Sequence, residues 1–257
     1  MEIRIVVALT QSPDLVEEVE INAEGNDIDR DAVKLRLSEW DDQALEEALL
    51  LKEASGGNVT AVTLDGGEAD SVLFTALAKG ADRAIKLTGD FPARMDHHAV
   101  GRVLAAAAKQ LDANLVLTGV QSVEDLDGQI PVLLAAMLGW PHVSVVTGVE
   151  VNGDVVLVKQ EYSGGVMAEL EVELPAVIGI QAARHAPRYV AVGKVRQIQK
   201  NAKLEEMSPA AGDGDAGIKI RRVFKPEAAG HAEMLEGEAE EIAARLVTIL
   251  KDRGLAL

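Results

Sequence analysis

The feature that most constrains the fold is an alternation of β-branched runs with longer segments of helical periodicity through the first 140 residues. Each strand-like run is followed by a helix-like segment, beginning with the apolar run Met1–Leu9. Such an alternation is typical of a parallel sheet covered by helices. The predicted strands span residues 1–9, 59–64, 84–87 and 114–117, and the predicted helices span residues 41–53, 69–79, 97–111 and 131–138.

The pattern changes after Pro141, where apolar and polar residues alternate with a period of two. An Asn-Gly-Asp turn at residues 152–154 lies within this region, and a buried strand, Ala176–Ile180, closes it. This pattern indicates an antiparallel hairpin region. The sequence therefore predicts an α/β fold with a doubly wound, mostly parallel sheet and an antiparallel hairpin region.

The composition divides the chain into a domain, residues 1–181, and a C-terminal arm, residues 182–257. The arm begins with a basic segment that we expect to be irregular. It continues through a linker composed mostly of Gly, Ala and Asp at residues 209–217 and ends in one amphipathic helix. Its apolar residues are too few for a core of their own, so we expect the arm to lie on another subunit.

The composition also excludes several classes of function. A formal net charge of -17 disfavours binding to nucleic acid or to an anionic membrane surface, because both depend on Lys and Arg. The chain has no cysteine, which excludes disulfides, thiolate-ligated metals and cysteine nucleophiles. Its five histidines lie in no metal-binding or triad motif, so we predict no metal site and no catalytic residue.

Targeting and membrane signals are missing from the sequence as well. The N-terminus lacks the pattern of a signal peptide, and no apolar run reaches the ~20 residues that a membrane-spanning helix needs. We therefore expect a soluble cytoplasmic protein that is not itself inserted in a membrane.

An acidic loop lies between the predicted strand at residues 114–117 and the helix that begins at Pro131, and it carries Glu124, Asp125 and Asp127. In a doubly wound sheet, ligands bind at the carboxyl ends of the strands, and a helix N-terminus favours phosphate. Because carboxylates repel phosphate, these acids would suit ribose hydroxyls or a magnesium ion. The alternative is a solvated loop. The chain has no Gly-x-Gly-x-x-Gly or Walker A motif.

Five stretches of the sequence together resemble a known family. They are IRIVVAL with DDQALEEALLLKE (3–9 and 41–53), GADRAIKL (80–87), LVLTGVQSVEDLDGQIP with LGWP (115–131 and 138–141), EYSGGVMAELEVELPAVIGI (161–180) and APRY (186–189). In this order they resemble the β subunit of electron transfer flavoproteins over nearly the whole chain. Each stretch alone is a weak signal, whereas the ordered set is specific.

The resemblance implies a Rossmann-like fold of the adenine-nucleotide-binding type and a heterodimer with a larger α subunit. In that family, FAD lies mainly on the α subunit. The β subunit binds AMP or, in the bifurcating branch, a second FAD. The heterodimer carries electrons from a flavin dehydrogenase toward a membrane quinone oxidoreductase, so we expect an electron carrier rather than an enzyme.

The resemblance also assigns three groups of residues. Glu161 matches a hairpin glutamate that approaches the α subunit near the flavin, and residues 182–189 match a loop that docks onto partner dehydrogenases. The docking residues are Arg184, His185, Pro187, Arg188 and Tyr189. The residues matched to the cofactor-binding site are Ala8, Ser38, Glu39, Trp40, Asp41, Leu64, Ser122, Val123, Glu124, Asp125, Asp127, Gly128, Gln129, Ile130 and Val132.

An alternative stays open, a stand-alone adenine-nucleotide-binding sensor of similar fold. Such a sensor would bind ATP or AMP tightly as a monomer or homodimer, and truncation of residues 190–257 would leave it functional. An electron-transfer subunit would instead lose affinity for its partner on the same truncation. An ATP-using enzyme lacks support, because the chain has neither a phosphate-binding loop nor a candidate general base.

Overall fold

Strands and helices alternate along the chain in a computed structural model that describes residues 2–16, 18–91, 95–210, 220–226, 230, 232 and 234–255. The strands are β1 (Arg4–Ala8), β2 (Gln11–Pro13), β3 (Leu35–Leu37), β4 (Asn58–Leu64), β5 (Arg83–Leu87), β6 (Leu115–Gly119), β7 (His142–Asn152), β8 (Val155–Tyr162), β9 (Val166–Glu173), β10 (Ala176–Ile180) and β11 (Glu205–Met207). The helices are α1 (Glu39–Ser55), α2 (Ala69–Lys79), α3 (His97–Gln110), α4 (Gln129–Leu138), α5 (Val192–Asn201) and α6 (Ala239–Asp252).

The chain divides into two compact units, Met1–Val223 and Phe224–Leu257. In the described part of the first unit, a nine-stranded sheet has the order β11-β5-β4-β1-β6-β10-β7-β8-β9. Neighbouring strands from β11 to β7 run parallel, whereas β8 pairs antiparallel with both β7 and β9. The predicted α/β fold, with its mostly parallel sheet and antiparallel hairpin region, is therefore confirmed.

The path of the chain across the sheet reverses beside β1. From β1 the chain moves outward through α1 to β4 and through α2 to β5, and α3 then returns it to β6 on the other side of β1. In open α/β sheets, such a reversal leaves a crevice outside the carboxyl ends of the two central strands. The end of β1 and the end of β6 therefore flank the expected ligand position.

Side chains of the sheet alternate between two apolar clusters. On β1, Ile5 and Val7 join a cluster that contains the buried faces of α1 and α2, whereas Val6 and Ala8 join a cluster that contains those of α3 and α4. Every buried member of both clusters is Ala, Val, Leu or Ile. Burial of each large aliphatic side chain stabilises the fold by about 1.5–3 kcal/mol.

Four elements are not predicted by the sequence. Two of them are β2 and β3, at the two ends of the polar stretch that begins at Pro13, and they pair antiparallel. Strands of three residues are too short to show a hydrophobic periodicity. The expected irregular backbone after residue 181 is wrong at α5, which packs against α2. β11, which pairs with β5, lies in a stretch where the sequence predicts no element. An ion pair between Arg83 and Glu205 supports β11.

The functional division of the chain at residue 181 stays a prediction. Residues 211–217 of the predicted linker lie outside the described residues. His231, one of the five histidines, also lies outside them. The predicted amphipathic helix is present as α6, and its side chains at Leu246 and Val247 are exposed. None of the described helices has both the length and the apolar character needed to cross a bilayer.

Candidate functional site

A cavity lies at the carboxyl ends of β1 and β6, where the chain reverses across the sheet. Six of the residues matched to the cofactor-binding site line it, namely Ala8, Asp41, Leu64, Ser122, Asp125 and Ile130. The lining also includes Thr10, Gln121, Val100 and Leu104, which the sequence analysis does not single out. Val100 and Leu104 belong to α3, where apolar residues at helical spacing indicate core, so no sequence signal distinguishes them.

Asp41, in the first turn of α1, joins the ends of the two central strands. Its Oδ2 accepts a hydrogen bond from the Thr10 backbone N at 2.7 Å, and its Oδ1 accepts one from the Gly119 backbone N at 2.8 Å. The residue is 4% exposed, and burial raises the pKa of its carboxyl from 3.8 to about 7 despite these two hydrogen bonds. Asp41 therefore fixes the walls of the cavity and titrates near neutral pH.

The close approach of α1 to β6 depends on Gly119. A Cβ at this position would lie 2.6 Å from the Trp40 Cβ and 2.7 Å from Asp41 Oδ1. Both distances are shorter than real Cβ contacts allow. The missing side chain at Gly119 therefore permits the contact between the strand end and the first turn of the helix.

Asp125 is the buried acid of the loop that follows β6. Its backbone N donates to Ser122 Oγ at 3.1 Å, and its Oδ2 accepts from the Gln129 backbone N at 3.1 Å, at the start of α4. His97 Nε2, at the start of α3, lies 3.6 Å from Asp125 Oδ1. The loop turns at Gly128, whose φ of 65° is in the left-handed region that favours glycine. The Asp125 carboxylate therefore shapes the loop.

The three loop acids do not converge on one point. Glu124 Oε1 pairs with Arg30 Nη2 at 3.1 Å, and Asp127 is exposed to solvent. Across the described residues, no group of three or more His, Cys, Asp or Glu could hold a metal ion. The suggested magnesium site at this loop therefore has no support from the geometry.

Ser38 presents a buried hydroxyl at the start of α1. It occupies the N-cap position, yet its side chain makes no capping hydrogen bond. Its Oγ is buried and has no hydrogen-bond partner in the described structure. Because an unpaired buried hydroxyl costs about 1–3 kcal/mol, such a group indicates a place where a ligand or water supplies a partner.

Eight further residues matched to the cofactor site belong to the same loop and helix starts without lining the cavity. Among them, Trp40 is half-buried, Val132 is exposed, and Glu39 is exposed and pairs with Arg36 at 2.9 Å. The other five are Val123, Glu124, Asp127, Gly128 and Gln129, all in the loop or at the first residue of α4.

Glu161 and the docking residues lie outside the cavity lining. Glu161 is exposed on β8, opposite Met167 of β9. In segment 182–189, Arg184 and Arg188 form ion pairs with glutamates of α1, whereas Tyr189 is 87% exposed. Of the two remaining docking residues, His185 is exposed and Pro187 is half-buried.

Sequence comparison finds the same family over nearly the whole chain. The profile of the electron transfer flavoprotein domain family matches residues 26–211. An electron transfer flavoprotein subunit beta of Methylophilus methylotrophus is 34% identical, with 97% of this chain and 98% of that protein aligned. The subunit beta of Clostridium acetobutylicum is 31% identical over 96% and 98% of the two chains, and that of Sus scrofa is 31% identical over 85% of each.

Proposed function

The chain belongs to the electron transfer flavoprotein β-subunit family, and from that membership we propose that it is one half of a heterodimeric electron carrier. The observation that carries the proposal is its similarity to a β subunit along 97% of its length. Its partner would be an α subunit that holds most of the FAD. The heterodimer would accept electrons from a flavin dehydrogenase and deliver them to a membrane quinone oxidoreductase.

In this role the redox chemistry belongs to the flavin, and the protein supplies position and environment. This chain would present Glu161 of β8 toward the flavin at the subunit interface and would offer residues 182–189 to the dehydrogenase. It would supply no general acid or base. The proposal therefore names no catalytic residue in this subunit.

The cavity at the ends of β1 and β6 would hold an adenine nucleotide, either AMP or a second FAD. The apolar lining from Ala8, Leu64, Leu104 and Ile130 suits a planar base. Gln121 and Ser122 would supply polar contacts, and the unpaired Ser38 hydroxyl supports a ligand near the start of α1.

The test is to co-express the chain with the α-type subunit from the same genome, purify the complex, denature it, and quantify the released nucleotides by chromatography. One FAD and one AMP per heterodimer would support a conventional carrier. Two FAD would place the protein in the bifurcating branch. One FAD without AMP would still support the carrier role but would mean that the cavity holds no nucleotide.

Failure to form any flavin-containing complex would contradict the proposal. Tight binding of AMP or ATP by the isolated chain, without such a complex, would instead favour the nucleotide-sensor alternative.

A further inference from the structure

One face of α1 supplies an unusual set of acceptors to the loop that follows β10. Gln43, Glu46, Glu47 and Glu53 are together called the brace here. Gln43 lies three residues before Glu46 and four before Glu47, and Glu53 lies seven after Glu46, so the four side chains lie on one broad side of the helix. Three of the four side chains accept hydrogen bonds from the backbone of residues 183–188. Loops are ordinarily the more mobile parts of a fold, whereas these loop amides bond to side chains of one helix.

Glu47 is the deepest member of the brace, with a side chain that is 0% exposed. Its Oε2 accepts from the Arg184 backbone N at 2.9 Å, and its Oε1 accepts from Arg184 Nε at 2.8 Å and from the Val149 backbone N at 2.9 Å. One carboxylate therefore joins α1, β7 and the loop. The Arg184 guanidinium is thus the positive group in contact with this fully buried carboxylate.

Glu46 contacts Arg188, four residues after Arg184 in the loop, in the same way. Its Oε2 accepts from the Arg188 backbone N at 2.9 Å, and its two oxygens also accept from the Arg188 guanidinium at 2.9–3.1 Å. Arg188 Nη1 reaches Glu53 Oε1 at 2.8 Å. Hydrogen bonds raise the pKa of Arg188, with the larger effect from Glu46 and the smaller from Glu53, so Arg188 stays positively charged.

We propose that the brace holds residues 182–189 in one conformation before any partner binds, and that Glu46 and Glu47 are positioning residues for docking. The docking part rests on the proposed function, whereas the holding part does not. Pre-ordering a loop lowers the entropy cost of binding, so its loss would weaken association with the dehydrogenase.

The brace also changes what the loop offers to a partner. The Arg188 guanidinium bonds to Glu46 and Glu53, and the Arg184 guanidinium bonds to Glu47 through its Nε, so glutamates of α1 balance both charges. Among the docking residues, Tyr189 and His185 are exposed and take no part in these ion pairs. The dehydrogenase surface that fits this loop is therefore aromatic or apolar rather than acidic.

The experiment compares Glu47→Gln and Glu46→Gln with the unaltered chain, in the flavin-loaded heterodimer, by hydrogen exchange and mass spectrometry. Glutamine keeps the volume and removes the charge. We expect exchange of the Arg184 amide to accelerate at least about tenfold in Glu47→Gln, and that of the Arg188 amide likewise in Glu46→Gln. Glu205→Gln is the matched control, because it breaks an arginine–carboxylate pair on β11, away from the loop.

The second readout is electron transfer from each flavin dehydrogenase of the same genome, purified and reduced with its own substrate. We expect the KM for the carrier to rise about tenfold in both brace variants while the limiting rate stays the same. Glu46→Gln serves as the second variant because it leaves the bond to β7 intact.

Unchanged exchange at both amides would overturn the brace, and faster exchange with unchanged KM would overturn its role in docking. If no flavin complex forms, the exchange measurement on the full chain alone still decides whether the brace holds the loop. Failure of the proposed function is thereby distinguished from failure of this inference.

Discussion

At the scale of single residues, the site depends on side chains that bond to backbone groups far away in sequence. Asp41 bonds to Thr10, which lies just after β1, and to Gly119, the last residue of β6. Its carboxyl must release a proton while buried, and the two hydrogen bonds offset that cost only in part. The residue therefore links the geometry of the cavity to pH.

Asp41→Asn should alter the pH dependence of stability. The unfolded carboxyl releases its proton near pH 3.8, whereas the folded one retains it to about pH 7. Between these pH values the folded state binds more protons than the unfolded state does. The contribution of Asp41 to the free energy of unfolding is therefore fully present below pH 3.8 and is lost as the pH rises toward 7. The stability of the native chain relative to Asp41→Asn should therefore fall by up to about 4 kcal/mol over this range.

Urea unfolding of both chains at a series of pH values measures this difference. Glu39→Gln, an exposed acid at the start of the same helix, provides the control and should show no such trend. A constant difference between the native chain and Asp41→Asn would contradict the raised pKa.

Gly119→Ala should destabilise the fold by about 1–3 kcal/mol, because the added methyl group overlaps Trp40 and Asp41. Nucleotide content of the purified heterodimer should fall with it. Gly193→Ala, where a Cβ meets nothing within 4 Å inside α5, is the control and should be neutral or slightly stabilising. Thermal unfolding of the two variants compares them directly, and equal midpoints would refute the close approach.

The sequence identifies the acids of the site but not their partners. Asp125 is predicted to suit a ribose, and that role stays a prediction. The bond that its carboxylate accepts from the Gln129 backbone N is not predicted by the sequence. Glu46 and Glu47 are buried charged residues that the sequence does not distinguish. Their burial follows from contacts with residues 137–142 positions away, and helical periodicity carries no information about such contacts.

At the scale of elements, length decides what a sequence reveals. The long helices and the central strands carry enough hydrophobic periodicity to be located within a few residues. β2, β3 and β11 have three residues each, and α5 has no buried residue, so a local pattern does not distinguish them from loops. These elements form because the long elements provide surfaces on which they pair or pack.

Two ion pairs that connect elements should differ strongly in their contribution to stability. Glu47→Ala removes the fully buried acceptor of the Val149 and Arg184 backbone amides and of Arg184 Nε. An amide left without an acceptor costs about 1–3 kcal/mol, so the two amides together should cost about 2–5 kcal/mol. Glu205→Ala removes a pair in which both side chains are nearly half exposed, and its cost should be at most about 1 kcal/mol. Denaturant unfolding of both variants tests the contrast, and similar values would contradict it.

At the scale of the whole molecule, the boundary between the two compact units, after Val223, is a better place to truncate the chain than residue 190. Both apolar clusters lie in the unit Met1–Val223. A cut at residue 190 removes α5 and β11 from that unit, whereas a cut after Val223 leaves them in place.

We therefore expect a chain that ends at Val223 to unfold at nearly the same temperature as the full chain, while its affinity for the α subunit falls. A chain that ends at Ala191 should unfold at a lower temperature, because α2 and β5 lose their neighbours. Calorimetry and co-purification with the α subunit separate the two effects. Undiminished heterodimer formation by the shorter chains would contradict a partner-binding arm.

The bonds between α1 and the loop after β10 also bear on how such a protein changes its choice of donor over evolution. A new loop transplanted from a distant relative would arrive without the helix side chains that give it shape, and the buried carboxylates of the recipient would be left without counter-charges. Under the proposed docking role, the heritable unit of partner choice is the loop together with one face of a helix more than a hundred residues away. Engineered chimeras should exchange both segments at once.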